Sequence, residues 1–243
     1  MNRKLWDVNE FNKINLPEIV GEVENKTEFD THRGTRVLDM PVKMIGTDVR
    51  IPDFVHESFS EIVHKAIAHE QSKYGDISDH YVYITIDQKY VYEGKTGRRP
   101  GAHSDGYIER DNRQIDITED SYDVVSQEEG EVSHTYIVTN KFPTEFFAVP
   151  FPLDNTDCES SLKTFDEIAD NAYPIKYPLY TILKLDPYVV HRSSIADEDS
   201  YRTFMKVSIS KKQYRRKGNT INPLFNYDWT MKERENNSRN HPW

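Results

Sequence analysis

Two side chains that could share one metal ion stand two positions apart in the sequence, His103 and Asp105. On an extended strand, residues i and i+2 leave the same face of the backbone, so the imidazole and the carboxylate would point together. The pattern His-x-Asp occurs once in the chain, after a strand-like run. His191, much further along, would complete a set of two histidines and one carboxylate. Such a facial triad holds a divalent metal and leaves the opposite coordination positions open.

Arg202 follows His191 with ten residues between them, near the start of a strand-like run. In that run Thr203, Met205, Val207 and Ile209 alternate with Arg202, Phe204, Lys206 and Ser208, so Arg202 lies opposite the apolar face. Burying an arginine inside a β barrel is costly unless an anion is present to bind it. Its planar fork of donors suits a carboxylate held by two hydrogen bonds. His134 is a rival for the distal ligand, but no Arg or Lys follows it at a suitable strand position.

The combination of His103-x-Asp105 with His191 and Arg202 resembles the Fe(II)/2-oxoglutarate-dependent oxygenase superfamily, over residues 80–210. The resemblance does not identify a subfamily. It implies a double-stranded β-helix fold (jelly-roll, cupin-like), with Fe(II) bound by His103, Asp105 and His191. It further implies that 2-oxoglutarate chelates the iron, that Arg202 binds its distal carboxylate, and that O2 is the oxidant. The reaction expected from it is hydroxylation of an unactivated C–H bond in a small molecule or a peptide or protein side chain.

Two further positions bear on this resemblance. Tyr92, in Tyr92-Glu93-Gly94, is similar to a tyrosine that contacts the co-substrate in several branches, although packing in the core explains it equally well. In one large branch a serine stands two residues after the arginine, where this chain has Phe204. Asp105 is a carboxylate rather than the small residue of the related halogenases, which favours hydroxylation. Two alternatives stay open: a catalytically inactive jelly-roll binding or structural module, and a 2-oxoglutarate-independent cupin-type metalloenzyme.

The elements that must position these residues are mainly strands with flanking α-helices. Apolar residues at helical spacing predict a helix capped by Asp53 and ending near Tyr74, and a capping box predicts a second helix from Thr164 to Ala172. Runs rich in β-branched and aromatic residues predict strands at 80–92, 134–139, 144–149, 179–185, 188–191 and 201–210. The runs 179–185 and 188–191 are predicted to form a hairpin that delivers His191 at a strand end.

The length of 243 residues fits one domain, 1–243, with an N-terminal arm (1–50), a helix plus jelly-roll core (51–210) and a C-terminal tail (211–243). No apolar run is long enough for a membrane span, and the N-terminus lacks the apolar segment of a signal peptide. The single cysteine, Cys158, excludes an internal disulfide and suits a cytoplasmic location.

Charge patterning gives two conflicting indications about partners. Residues 108–133 hold nine acids and two arginines, typical of a solvated loop or of a lid that favours a cationic substrate. Residues 211–217 hold five basic side chains, which leaves nucleic-acid contact open, but the net charge of −10 disfavours it. Oligomeric state is not indicated.

Overall fold

The computed structural model describes residues 4–105, 131–153 and 158–233. The chain begins with a short 3-10 helix at Val8–Asn12. Three α-helices follow: α1 (Lys26–Asp30), α2 (Glu57–Tyr74) and α3 (Cys158–Asp170). The strands are β1 (Glu18–Glu22), β2 (Arg36–Lys43), β3 (Tyr81–Val91), β4 (His134–Thr139), β5 (Glu145–Phe147), β6 (Pro174–Lys176), β7 (Thr181–Leu185), β8 (His191–Arg192) and β9 (Ser200–Ser210).

The strands form two antiparallel sheets. The larger has the order β1-β7-β4-β9-β3-β2, and the smaller has the order β6-β5-β8. A bridge between His103 and His191 places the chain at residue 103 beside β8, as a further strand position of the smaller sheet. The early strand β3 therefore pairs with the last strand, β9, and the segment after β3 pairs with the strand before β9. This mutual winding is a double-stranded β-helix, so the predicted jelly-roll with flanking helices is confirmed.

Strand β9 separates the main core from the interior between the sheets. Met205, Val207 and Ile209 belong to the largest apolar cluster, which includes Phe59 and Ile62 of α2. Arg202, Phe204 and Lys206 occupy the alternate positions, which face away from α2. The predicted alternation is confirmed, and its physical cause is that α2 covers only the outer face of the larger sheet.

The predicted starts of both helices are wrong. Helix α2 begins at Glu57 rather than after Asp53, because His56 is its N-cap and accepts a hydrogen bond from the Ser58 N–H through Nδ1 (3.2 Å). The preceding residues form a turn in which the Val55 N–H donates to the Pro52 carbonyl (2.9 Å). Helix α3 begins at Cys158, so the supposed capping box at Thr164 lies inside the helix.

The predicted hairpin around His191 is also wrong. Strand β7 belongs to the larger sheet and β8 to the smaller, so the chain crosses from one sheet to the other between them. A turn makes the crossing, in which Asp186 accepts hydrogen bonds from the Val189 N–H (3.1 Å) and, through Oδ1, from the Tyr188 N–H (3.1 Å). His191 consequently begins its strand rather than ending it.

The predicted arm and tail both contribute to this architecture. Strands β1 and β2 form the two edges of the larger sheet. The buried side chain of Asn222 donates to the carbonyls of Pro41 (2.8 Å) and Arg50 (2.9 Å), and Trp229 packs against Tyr81. The division of the chain into one domain with an arm and a tail stays a prediction.

The charged segments have different outcomes. The acidic stretch 108–133 lies outside the described residues except for 131–133. In the basic stretch 211–217, Lys211 pairs with Asp79 (2.9 Å) and Glu131 (3.3 Å), and Tyr214 stacks on Tyr83. Contact with nucleic acid stays an untested prediction. Among the described helices, none is long and apolar enough to cross a membrane.

His134 has a structural role in the outer core. Its Nδ1 lies 2.8 Å from Oε1 of Glu70, a residue of α2 that is fully buried. The Tyr136 hydroxyl donates to Glu70 Oε2 (2.6 Å) and lies 3.0 Å from Nδ1 of His69. Glu70 thus ties β4 to α2, and His134 faces the helix rather than the interior between the sheets.

We expect Glu70→Ala to lower the free energy of unfolding by about 3 kcal/mol, because it leaves buried donors of His134 and Tyr136 without their acceptor. Urea denaturation monitored by tyrosine and tryptophan fluorescence measures the change. The matched control is Gln71→Ala, an exposed neighbour on the same helix, which should change stability by less than about 0.5 kcal/mol. Equal effects of the two substitutions would contradict this role.

Candidate metal centre

The structure brings together the three predicted metal ligands. His103, Asp105 and His191 each offer a ligand atom, and these atoms lie within 4.8 Å of one another. Two backbone hydrogen bonds of 2.9 Å join residues 103 and 191, each N–H donating to the other's carbonyl. The imidazole centroids are 4.5 Å apart. In the described part of the chain, no other histidine, cysteine or acid group meets this geometry.

The hydrogen bonds of the two imidazoles fix which nitrogen can bind a metal. Nδ1 of His103 donates to the Gly101 carbonyl (3.2 Å), and Nδ1 of His191 donates to the Val189 carbonyl (3.0 Å). A carbonyl oxygen can only accept, so each Nδ1 carries the proton and each Nε2 keeps a lone pair. Outer partners of this kind orient metal-binding histidines in known sites.

The protonation states also suit a divalent cation. Burial lowers the pKa of His103 to about 3, and it lowers the pKa of His191 as well, so both rings are neutral at neutral pH. Burial alone would raise the pKa of Asp105, but nearby positive charge, above all that of Lys206, outweighs it and holds the pKa below its ordinary value. Asp105 Oδ2 is buried and has no hydrogen-bond partner among the described residues. Two neutral imidazoles and an unpaired buried carboxylate oxygen fit a metal ion.

Asp166 positions the first two ligands. Its Oδ1 accepts a hydrogen bond of 2.5 Å from the N–H of Ala102, the residue before His103. Helix α3 thereby holds the segment that carries His103 and Asp105. In the sequence, Asp166 is an interior position of the predicted capping box Thr164–Glu167, and no local signal indicates that its carboxylate anchors a distant loop.

Arg202 lies on the same face of β9 as Lys206, whose charge acts on Asp105, and is 2% exposed. Its Nε donates weakly to the Lys141 carbonyl (3.3 Å), and its Nη1 is buried without a partner among the described residues. Burial lowers the pKa of Arg202 to about 9, and the positive charge of Arg98 contributes to the decrease. A buried donor without an acceptor is costly, so this position fits an anion supplied by a ligand.

Gly97 leaves the space that the Arg202 side chain occupies. A Cβ atom at residue 97 would lie 2.8 Å from Cδ and 3.0 Å from Nε of Arg202. Both distances are below those that Cβ contacts normally show, so only glycine permits this approach. The sequence contains this glycine but gives no indication of its neighbour.

Tyr92 is not brought to this group. Its side chain is 62% exposed and contacts the ring of Tyr90 (5.2 Å between centroids). It therefore lies neither in the core, as the packing alternative required, nor among the residues around Arg202. A contact with the co-substrate stays a prediction without support from this placement.

Lys206 and Asp39 are interior residues whose roles the sequence did not indicate. Lys206 makes the largest favourable charge contribution to Asp105 and lies 3.8 Å from Asp39 Oδ1. Asp39 adopts a left-handed backbone conformation (φ 42°) where the register of β2 against β3 shifts, and the Thr85 hydroxyl donates to its Oδ1 (3.0 Å). Non-glycine residues with positive φ and β-bulges both concentrate near functional sites.

Comparisons with known proteins returned solved structures only. No protein-family model and no curated protein matches the chain. HygX from Streptomyces hygroscopicus with nickel and 2-oxoglutarate bound aligns over 82% of this chain and 83% of its own, at 9% identity and a TM-score of 0.47. AviO1 from Streptomyces viridochromogenes aligns over 84% and 92%, at 11% identity and a TM-score of 0.40. The non-heme monooxygenase ThoJ, a nickel complex, aligns over 84% and 77%, at 13% identity and a TM-score of 0.43.

These TM-scores are all below 0.5, so the fold assignment rests on the strand pairing of this chain.

We expect Asp166→Ala to weaken metal binding by about ten-fold or more, because residues 103 and 105 lose their anchor on α3. Titration of the apoprotein with Co(II), followed by its visible d–d absorption, measures the affinity. Glu167→Ala is the control, since Glu167 is largely exposed on the same helix and pairs only loosely with Lys163 (3.8 Å). An unchanged Co(II) affinity in Asp166→Ala would show that the anchor is dispensable.

Proposed function

We propose that the protein is a non-haem Fe(II)- and 2-oxoglutarate-dependent dioxygenase that hydroxylates an unactivated C–H bond of a small molecule or a peptide or protein side chain. The observation that carries this proposal is a pair of sites: a triad of the buried His191 with the partly buried His103 and Asp105, and the buried guanidinium of Arg202, whose Nη1 has no partner among the described residues. The first fits a divalent metal with open positions, and the second fits a carboxylate.

The residues would divide the work as follows. His103 and His191 would hold iron through Nε2, and Asp105 would supply the single negative ligand. Arg202 would bind the distal carboxylate of 2-oxoglutarate and so orient its 2-oxo acid end toward the metal. When bound, iron and 2-oxoglutarate supply the oxidising chemistry, in which O2 converts the 2-oxo acid to succinate and CO2 and the substrate gains an oxygen atom.

Arg202 favours this proposal over a 2-oxoglutarate-independent cupin-type enzyme. A metal site alone gives no reason to bury a guanidinium whose Nη1 lacks an acceptor. Desolvating such a charge costs several kcal/mol, and a ligand carboxylate offsets that cost. A co-substrate with a carboxylate at the end remote from the metal therefore accounts for both sites.

The triad favours an enzyme over an inactive jelly-roll binding or structural module. Three polar groups converge in a partly buried place, and the buried Asp105 Oδ2 has no partner in the described parts of the chain. A module without a metal gains nothing from this arrangement, and apolar side chains would stabilise the same place better. Nearby, Phe146 packs against His191 (5.9 Å between centroids), which shows that apolar residues are available there.

The direct test is anaerobic titration of the apoprotein with Fe(II) and then with 2-oxoglutarate. We expect the weak visible charge-transfer band of an iron-bound 2-oxo acid only when both are present. His103→Ala and His191→Ala should abolish the band because each removes a ligand. Arg202→Gln should retain it but raise the dissociation constant for 2-oxoglutarate at least about 30-fold, as expected for a buried charged pair.

The controls separate folding from binding. Thermal unfolding should show that each variant is folded, and Lys95→Gln, which removes an exposed positive charge, should leave the titration unchanged. A folded wild-type protein that binds Fe(II) yet gives no band with 2-oxoglutarate would overturn the proposal in favour of the cupin-type enzyme. A folded protein without metal binding would point to the inactive module.

Gly97→Ala provides an independent prediction for the carboxylate site. The added methyl group displaces the Arg202 side chain, so we expect 2-oxoglutarate to bind about ten-fold more weakly while Fe(II) affinity stays the same. The same anaerobic titration measures both constants. Gly21→Ala is the matched control, because no atom lies within 4 Å of a Cβ at that glycine. A loss of Fe(II) affinity in Gly97→Ala would instead indicate a general disturbance of the loop.

A further inference from the structure

A second guanidinium, that of Arg98, contacts the same phenyl ring as Arg202. The Cζ atoms of Arg98 and Arg202 are each 4.8 Å from the centroid of the Phe204 ring. Two like charges on one phenyl ring repel each other, and the charge of Arg98 is the main neighbouring charge that lowers the pKa of Arg202. The arrangement is therefore unfavourable in the free protein, and a ligand of opposite charge would stabilise it.

The loop that carries Arg98 is held in place by several contacts. Thr96 bridges to Ile195, and the Ala196 N–H donates to the Lys95 carbonyl (2.8 Å). The Thr96 hydroxyl donates to the Arg98 carbonyl (2.5 Å), and Gly97 packs directly on the Arg202 side chain. These contacts fix the backbone of the loop from which the Arg98 side chain reaches the Phe204 ring.

The described residues supply no counter-ion to this pair. Within 4–105, 131–153 and 158–233, neither guanidinium has a carboxylate oxygen within 4.0 Å. Asp87 acts on Arg202, and Asp105 on Arg98, only at longer range, and Asp87 already pairs with Lys89 (2.9 Å) and lies 3.5 Å from Arg36. Positive charge thus exceeds negative charge around Arg202, as a site for a carboxylate requires.

We propose that Arg98 and Arg202 form a two-arginine clamp for the distal carboxylate of a five-carbon 2-oxo diacid. This inference rests on the proposed function and adds a second positioning residue to the co-substrate site. One carboxylate has lone pairs enough for two guanidiniums, each donating to it across the face of Phe204. Arg98 also explains why the position two residues after Arg202 can be Phe204 rather than serine: a guanidinium supplies the extra donor, and the phenyl ring supports both guanidiniums.

The experiment compares two ligands in the anaerobic Fe(II) titration. 2-Oxoglutarate has the distal carboxylate, and 2-oxopentanoate has the same chain with a methyl group in its place. We expect Arg98→Gln to weaken binding of 2-oxoglutarate by about ten-fold or more and to leave that of 2-oxopentanoate within about two-fold. Arg98→Lys should recover part of the loss, because it restores a charge but not the planar fork.

Two controls accompany the comparison. Lys95→Gln removes a positive charge from the same loop. Because this charge is exposed and screened by salt, the dissociation constant of each ligand should change by no more than about two-fold. Fe(II) affinity without a 2-oxo acid should be the same in Arg98→Gln and wild type, which shows that the variant keeps the metal centre intact.

Three outcomes would overturn the clamp. Unchanged 2-oxoglutarate binding in Arg98→Gln would mean that Arg202 alone donates to the distal carboxylate and that Arg98 takes no part in binding it. Equal losses of affinity for 2-oxoglutarate and 2-oxopentanoate would mean that Arg98 acts on the 2-oxo acid end that chelates the iron. Loss of Fe(II) affinity would mean that it supports the loop. In each case a wild-type band with 2-oxoglutarate would still support the proposed function, whereas absence of that band would overturn the function itself.

Discussion

The candidate site depends on one short piece of backbone pairing, the two hydrogen bonds between residues 103 and 191. They bring together two histidines that are far apart in sequence and hold their rings side by side. The pairing exists because the chain closes a double-stranded β-helix, in which the segment after β3 meets the strand before β9. Asp105 lies two residues further on, in the turn that follows this bridge, and its carboxylate still converges with the two imidazoles. The candidate metal site, with its three ligands, thus depends on only one long-range contact.

Strand β9 connects this site to the stability of the whole protein. Its outer-face residues pack under α2, and its inner-face residues include Arg202 and Lys206. A slip of one residue in its register would move Arg202 to the outer face and bury it against apolar side chains. The apolar core therefore fixes the position of Arg202 as firmly as it fixes the sheet. Glu70, which ties α2 to β4, contributes to the same constraint from the outside.

Local sequence was enough to predict what depends on local geometry. The two-residue spacing of His103 and Asp105 and the alternation along β9 are periodic features, and both agree with the structure. What sequence could not predict depends on contacts between distant segments. The turn at Asp186 resembles a hairpin turn but joins two different sheets, because only the closure of the jelly-roll decides which sheet each strand enters. The role of Asp166 likewise depends on the packing of α3 beside Ala102, which no local pattern indicates.

Arg98 illustrates the same limit and also why the site is built as it is. A guanidinium in a loop is ordinary in sequence, and its proximity to Arg202 becomes visible only in the fold. Placing the partly exposed charge of Arg98 near the buried, desolvated guanidinium of Arg202 lowers the stability of the free protein. The same desolvation strengthens their attraction for an anion, because few water molecules compete for the donors. The packing of β9 and of the loop around Gly97 offsets this loss of stability during folding. A carboxylate that enters the proposed site would find its donors already in place, so little of its binding free energy would go into ordering them.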